Sequence, residues 1–240
     1  MSINKLKKII ADSDNIVFFG GAGVSTESNI PDFRSSTGLY KTNSGYQYPP
    51  EQMLSYTFFL EHTQEFYDFY KSKMIYRDAK PNAAHLSLAE LEKRGKLKAV
   101  ITQNIDGLHQ MAGSKEVLEL HGSIYRNYCL KCQKSFALEY ILDSKDIPRC
   151  DACGGLIKPD VVLYEESLDT ALLNKAVQYI ACSDVLIVGG TSLTVYPSAG
   201  LVQYYRGNKL VLINKTSTQY DRRANLIINS KIGETLKEVV

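Results

Sequence analysis

The chain has 240 residues, 44% of them hydrophobic, with 28 basic against 26 acidic side chains. That length suits one substantial core with a small insert, and the near-zero charge balance gives no footprint for nucleic acid or an anionic membrane. No apolar run approaches the roughly 18 to 20 residues of a membrane span, and the opening MSINKLKKIIADSDN is too polar for a signal peptide. A soluble, cytoplasmic protein is expected.

That opening segment reads as a short amphipathic helix with Ile3, Leu6, Ile9 and Ile10 on one side. Residues 16–19 follow as a continuous apolar run, the pattern of a buried strand, and break into Gly20, Gly21, Ala22 and Gly23. Glycines directly after a strand let the backbone turn sharply and approach a ligand. Ser25, Thr26, Glu27 and Ser28 suit either a helix start or phosphate contact. The loop matches only the first two glycines of the G-x-G-x-x-G fingerprint, so by itself it fits a nucleotide phosphate site or a plain turn. Pro31-Asp32-Phe33-Arg34, an aromatic between two charges, is an odd composition for a solvent loop.

Tyr and Phe then crowd residues 36–84. Phe66, Phe69, Tyr70 and Lys73 fall at helical spacing, which predicts a helical module whose rings make a local core or line a substrate groove. A helix is expected from Ala83 to about Arg94, closed by Gly95. Buried strands are expected over 97–102, leading into Gln103-Asn104-Ile105-Asp106-Gly107, and over 117–120, leading into His121-Gly122-Ser123. Polar residues at the carboxyl ends of strands in a strand–helix–strand series are the signature of a doubly wound α/β sheet, which binds ligands along that edge.

Cys129-x-x-Cys132 and Cys150-x-x-Cys153 enclose seventeen residues, inside the spacing of a zinc ribbon. Four thiolates close a tetrahedral shell and leave no position for water, so Zn2+ here would be structural. A redox pair is the competing reading. The remaining cysteine, Cys182, near the end of a helix beginning at Asp169, is expected to be a small buried apolar residue. Strands at 185–188 and 210–213 end in Gly189-Gly190-Thr191-Ser192 and in Asn214, and two apolar stretches, 226–228 and 236–240, finish the chain.

Taken together, GAGVSTESNIPDFRSSTGLY, TQNIDGLHQMAG, ELHGS, the paired C-x-x-C, GTSLTVYPSAGL and LVLIN resemble the sirtuin family of NAD-dependent protein deacylases, in the family's order and over nearly the whole chain. The short bacterial members are the nearest in pattern. The resemblance implies a Rossmann-like doubly wound parallel sheet formed by 1–35, 85–123 and 155–240, with a smaller domain made of a helical module (36–84) and a zinc ribbon (124–154). It implies an NAD-dependent protein lysine deacetylase that moves the acetyl group to ADP-ribose and releases nicotinamide. NAD would be a consumed co-substrate and Zn2+ structural. Acetyl-lysine proteins or peptides would be the partners of a monomer, without nucleic acid or membrane.

By position in the family motifs, Ala22 and Thr26 would contact the cofactor backbone, Phe33 would cover the reacting ribose, and Arg34 would stand near the phosphates. Ile105 and Asp106 would hold the nicotinamide carboxamide, and Gln103 and Asn104 the ribose or a water, Asn104 beside His121 in the catalytic group. His121 would be the base that takes a ribose hydroxyl proton. Thr191, Ser192, Asn214 and Ile232 match the adenosine half. Val161, Val162, Leu163 and Tyr164 match the segment that pairs with the substrate peptide as a strand.

The chain departs from the family at Glu165-Glu166, where glycine and one acid are usual, and at Ser35 in place of glycine. The first departure is expected to favour basic residues beside the acyl-lysine. Relatives acting on acidic acyl groups carry a Tyr and an Arg three residues apart; here Tyr67 is present but Tyr70 stands at the arginine position, so neutral acyl groups are expected, acetyl first and longer chains after it. Three other readings compete: a hydride-transferring oxidoreductase, which needs a third glycine and an acid about 20 residues on; a zinc-ribbon binding module; and protein ADP-ribosyl transfer on the same fold.

Overall fold

Continuous apolar runs become strands buried on both faces, and amphipathic segments become the helices that cover them. The computed structural model describes residues 2–33, 35, 38–40 and 46–240. Helix α1 (Ser2–Ala11) precedes strand β1 (Ile16–Gly20), and two 3-10 turns (Ala22–Val24, Thr26–Ser28) follow it. Next come α2 (Pro50–Met53), α3 (Tyr56–Glu61), α4 (Thr63–Lys73), α5 (Ala83–Lys93) and β2 (Leu97–Thr102). The middle of the chain runs α6 (Leu108–Met111), β3 (Val117–Glu119), β4 (Gly122–Cys129), β5 (Ser135–Phe136), α7 (Leu138–Asp143) and β6 (Ile157–Val161). The last third holds α8 (Thr170–Cys182), β7 (Val185–Gly189), a 3-10 segment (Ser198–Tyr204), β8 (Leu210–Ile213), β9 (Leu226–Ile228) and α9 (Ile232–Val239).

Six strands form one parallel sheet in the order β3-β2-β1-β7-β8-β9. Counted along the chain within that sheet, this is 3-2-1-4-5-6, the doubly wound order whose direction of winding reverses between its first and fourth strands. All residues of β1 and β7, the two strands at that reversal, are buried. Alternation assigns their side chains to two layers. Ile16 and Phe18 pack with Leu88 and Leu91 of α5 and Leu236 of α9, while Val17 and Phe19 pack with Ile180 of α8 and Val202. Among the described residues no helix is long and apolar enough to cross a membrane.

The second sheet, β5-β4-β6, is antiparallel and packs against α2, α3, α4 and α7 through a third core containing Phe59, Phe66, Tyr67, Phe69 and Tyr70. It draws on residues 122–129, 135–136 and 157–161, reaching beyond 124–154 on both sides. The rings of the helical module therefore build a local core. Tyr67 and Tyr70 are 1% and 0% exposed, and the Tyr67 hydroxyl donates to the Ile157 carbonyl at 2.6 Å. They are core side chains outside the lining of the main cleft.

Two expectations change. Residues 25–28 do not start an α-helix: successive i to i+3 bonds make 3-10 turns, Asn29 turns left-handed at φ 62°, and Pro31 disfavours helix at Ile30. Cys182 is exposed rather than buried. The buried stripe of α8 is Ala176 and Ile180, one turn apart, and Cys182 falls off that stripe at the helix's last residue.

Candidate functional site

The reversal of winding opens a cleft of about 1230 Å³ across the carboxyl ends of the strands. Its floor is set by two glycine loops in direct contact. The Gly23 N–H donates to the Gly190 carbonyl at 2.8 Å, and Gly190 holds φ 60°, a left-handed conformation that favours glycine. A Cβ on Gly23 would lie 2.8 Å from the Gly190 oxygen, so only glycine lets the loops close. Asn82, at the N-cap of α5, donates to the Val24 carbonyl (2.8 Å) and to Ser28 Oγ (2.9 Å), tying the first loop to that helix.

The expected site residues converge on this cleft: Ala22, Thr26, Phe33, Gln103, Asn104, Ile105, Asp106, His121, Thr191, Ser192, Asn214, Ile232 and 161–164 all line it. Arg34 lies outside the described residues. The end of β2 carries the polar group. Asn104 Nδ2 donates to Ser25 Oγ (3.0 Å), which donates to Asp106 Oδ2 (2.6 Å), while the other Asp106 oxygen accepts the Leu108 N–H (3.0 Å). Burial pushes the Asp106 carboxyl above its ordinary range, opposed by those two hydrogen bonds. Ser25, in sequence one of several small polar residues after the glycine loop, is thus the hub of the site.

His121 follows β3. Its Nδ1 lies 3.0 Å from the Gln103 carbonyl, which can only accept, so Nδ1 carries the proton and Nε2 keeps its lone pair. Burial lowers its pKa and outweighs the carbonyl contact, which acts the other way. The result is a neutral imidazole at neutral pH with a basic nitrogen left over. The other described histidines differ: His85 and His109 are buried, with ring centroids 4.7 Å apart, and His62 stacks on Phe58.

At the end of the cleft beyond β7 and β8, Asn214 Oδ1 accepts the Thr191 N–H (3.0 Å), and its buried Nδ2 finds no partner among the described residues. Gln103 Nε2 reaches Thr191 Oγ1 at 3.3 Å, linking the two halves of the cleft. An unpaired donor and a tight glycine cradle fit a nucleotide ligand.

Residues 162–166 run along the cleft wall after β6, and most of their backbone groups are paired. Val162 N–H donates to the His121 carbonyl, Leu163 N–H to Glu166 Oε2 and Tyr164 N–H to the Leu54 carbonyl; the Tyr164 carbonyl accepts from Tyr56 and that of Leu163 from Glu166. Among the described residues this leaves the Val162 carbonyl and the Glu165 N–H and carbonyl without partners. Glu165 is held at φ 78°, and its Oε2 accepts the Thr57 N–H at 2.9 Å. The unpaired backbone groups thus fall at Val162 and at Glu165, the residue after 161–164.

Away from the cleft, Cys129, Cys132, Cys150 and Cys153 bring their sulfurs within 4.8 Å of one another. Cys129–Cys153 and Cys132–Cys150 sulfur distances are 3.5 and 3.6 Å, far from a disulfide bond. A tetrahedral Zn–S shell with bonds of about 2.3 Å has edges of about 3.8 Å. The four thiols fit Zn2+, and Lys131 N–H points at Cys129 Sγ (3.4 Å), as a backbone donor to a thiolate does.

The Sir2 family model matches residues 21–197. The chain belongs to the Sir2 family. Two relatives described as NAD-dependent protein deacetylases come from Clostridium acetobutylicum (64% identical over 239 residues, 99% of this chain and 98% of the relative) and Clostridium tetani (66% over 236 residues, 98% and 96%). A solved Sir2 variant described as holding deacetylated p53 peptide and 3′-O-acetyl ADP ribose is 40% identical, with TM-score 0.91, covering 100% of this chain and 97% of that one. That match spans the whole chain and so takes in both sheets.

Proposed function

We propose that this chain is an NAD-dependent protein lysine deacetylase. The observation that carries the reading is His121, neutral at physiological pH, with Nε2 free on the wall of a cleft where the glycine loops, the Asp106 network and the unpaired peptide edge meet. The Clostridium relatives bear this activity in their descriptions, and the similar Sir2 structure holds peptide and acetyl-ADP-ribose together.

NAD supplies a ribose carbon that loses nicotinamide and gains the acetyl oxygen of the lysine, and water then frees lysine and O-acetyl-ADP-ribose. Around that exchange the residues have separate tasks. His121 Nε2 accepts a ribose hydroxyl proton, and the Gln103 carbonyl keeps the tautomer. Asp106 and Ile105 hold the nicotinamide amide, with Ser25 and Asn104 fixing the Asp106 carboxylate. Ala22, Thr26 and Arg34 take the pyrophosphate side, Thr191, Ser192, Asn214 and Ile232 the adenosine side, and Phe33 excludes water from the ribose. The acetyl-lysine peptide adds a strand at 161–165, using the Val162 carbonyl and Glu165 backbone.

We assign Zn2+ to the four cysteines as a structural ion, and place the protein in the cytoplasm, where thiols stay reduced for metal binding. A monomer with no nucleic-acid partner is the expected state, checked by light scattering with and without DNA. Nicotinamide release, followed chromatographically, is the direct test: it should rise with acetyl-lysine peptide in one-to-one proportion to deacetylation. Release that transfers ADP-ribose to protein instead would replace deacetylation with ADP-ribosyl transfer.

A further inference from the structure

Tyr40 and Tyr164 are 124 residues apart, and their hydroxyls meet at 2.8 Å on the lining of the cleft. Each belongs to a different binding element. On one side, Tyr40 is joined twice to Phe33: its N–H donates to the Phe33 carbonyl at 2.9 Å, and the two rings meet edge to face with centroids 5.4 Å apart. Leu39 N–H likewise donates to the Asp32 carbonyl at 2.8 Å, so 32–33 and 39–40 form a short ladder. Displacing Tyr40 would displace Phe33. On the other side, the Tyr164 backbone is fixed between Leu54 and Tyr56 at 2.9 and 3.0 Å. The next residue, Glu165, carries the unpaired N–H and carbonyl of the peptide edge.

We propose that the Tyr40–Tyr164 hydroxyl bridge couples acyl-peptide binding to cofactor binding, with both tyrosines acting as positioning residues. The inference rests on the deacetylase reading. A ligand that fixes the Phe33 loop holds the Tyr40 hydroxyl where Tyr164 can meet it, and a peptide paired with Glu165 restrains the Tyr164 side chain, whose backbone the Leu54 and Tyr56 bonds already hold. Each ligand then finds part of the ordering it requires already done, and linkage makes the effect reciprocal. One phenol–phenol hydrogen bond at a half-exposed site is a modest interaction, so the coupling it transmits is several-fold rather than orders of magnitude.

The test is calorimetric, on the full zinc-loaded chain, with an acetyl-lysine peptide titrated in the absence and presence of saturating ADP-ribose. The ratio of the two Kd values is the readout. ADP-ribose should tighten peptide binding about tenfold in the wild type, and about threefold or less in Tyr40→Phe and in Tyr164→Phe. The double variant should lose no more than either single one, since both remove the same bond. These variants keep their rings, and unchanged melting temperatures would show an intact fold. Wild-type coupling retained in either Phe variant, losses that multiply in the double variant, or a wild type without coupling would each overturn the inference alone. A wild type that binds ADP-ribose but never the acetyl-lysine peptide would overturn the deacetylase reading along with it.

Discussion

At His121 two facts combine: the Gln103 carbonyl fixes the proton on Nδ1, and burial lowers the pKa. The active form is the neutral one. Activity dependent on this group is therefore full above its folded pKa and declines as pH falls through it, and that value lies below the ordinary histidine value of about 6.5. The pH profile of kcat/KM should show its acidic limb below about 6.5, with no loss from this residue on raising pH. His121→Ala should cost about 10²- to 10⁴-fold in kcat/KM, the usual worth of a positioned general base, while leaving the melting temperature near wild type. The residue could be read from the sequence because ELHGS puts it just after a strand. The Ser25 hub could not. Its importance arises from Asn104 and Asp106, about eighty residues away, and nothing local to Ser25 signals them.

Among the elements, the stretch from β6 through the peptide edge is held by a buried ion pair. Lys158 is 2% exposed; its Nζ lies 2.8 Å from Glu166 Oε2 and donates to the carbonyls of Pro159 (3.2 Å) and Val161 (2.9 Å). Glu166 also accepts the Leu163 N–H at 2.8 Å. Glu166→Ala would strand a buried ammonium and should destabilise the protein by about 3 to 5 kcal/mol, read by urea unfolding, whereas Glu166→Gln keeps an acceptor and should cost less. A cost below about 1 kcal/mol for the Ala variant would show that the pair is solvated. The sulfur cluster makes a second prediction at this scale. Chelating the zinc, or Cys129→Ser, should abolish hydrogen-exchange protection in β4, β5 and β6 while β1 and β7 keep theirs, because the six-stranded sheet has its own two cores. The strands of that sheet were legible as runs such as 16–19 and 185–188. The β4–β6 pairing was not, since it joins segments flanking the whole ribbon, and the 3-10 turns at 22–28 depend on Asn29 turning left-handed.

The molecule as a whole carries an acid sensitivity away from the cleft. His85 and His109 meet where α5 packs on α6; burial lowers the His85 pKa to about 4, and burial together with the charge of His85 lowers that of His109 to about 3. Both His109 nitrogens lack partners among the described residues. The sign follows from linkage. The unfolded chain takes up these protons below about 6.5 and the folded chain does not, so stability is full above that pH and falls toward pH 4 by about 1.4 kcal/mol per unit for each histidine. Between pH 7 and 5 this pair should contribute a slope approaching twice that value to the unfolding free energy, in addition to whatever His121 contributes, and His109→Gln should remove one histidine's share; a flat profile would contradict the burial argument.

At this scale the fold class was legible, and so was the gathering of the named strand-end residues on one cleft, because a doubly wound sheet brings strand ends to one edge whatever their spacing in the chain. Exposure was less so: Cys182 read as a buried apolar residue but sits off the buried stripe of α8, while the rings of the helical module, readable either as a local core or as a groove wall, prove to be core at Tyr67 and Tyr70.

The most direct measurement is mass spectrometry of an acetyl-lysine peptide incubated with the zinc-loaded protein, with and without NAD, beside His121→Ala. Deacetylation by this cleft predicts loss of the acetyl mass only when NAD is present, appearance of O-acetyl-ADP-ribose, and neither change with the variant. NAD left intact by the wild type, or an acetyl group that stays on lysine while NAD is consumed, would contradict it.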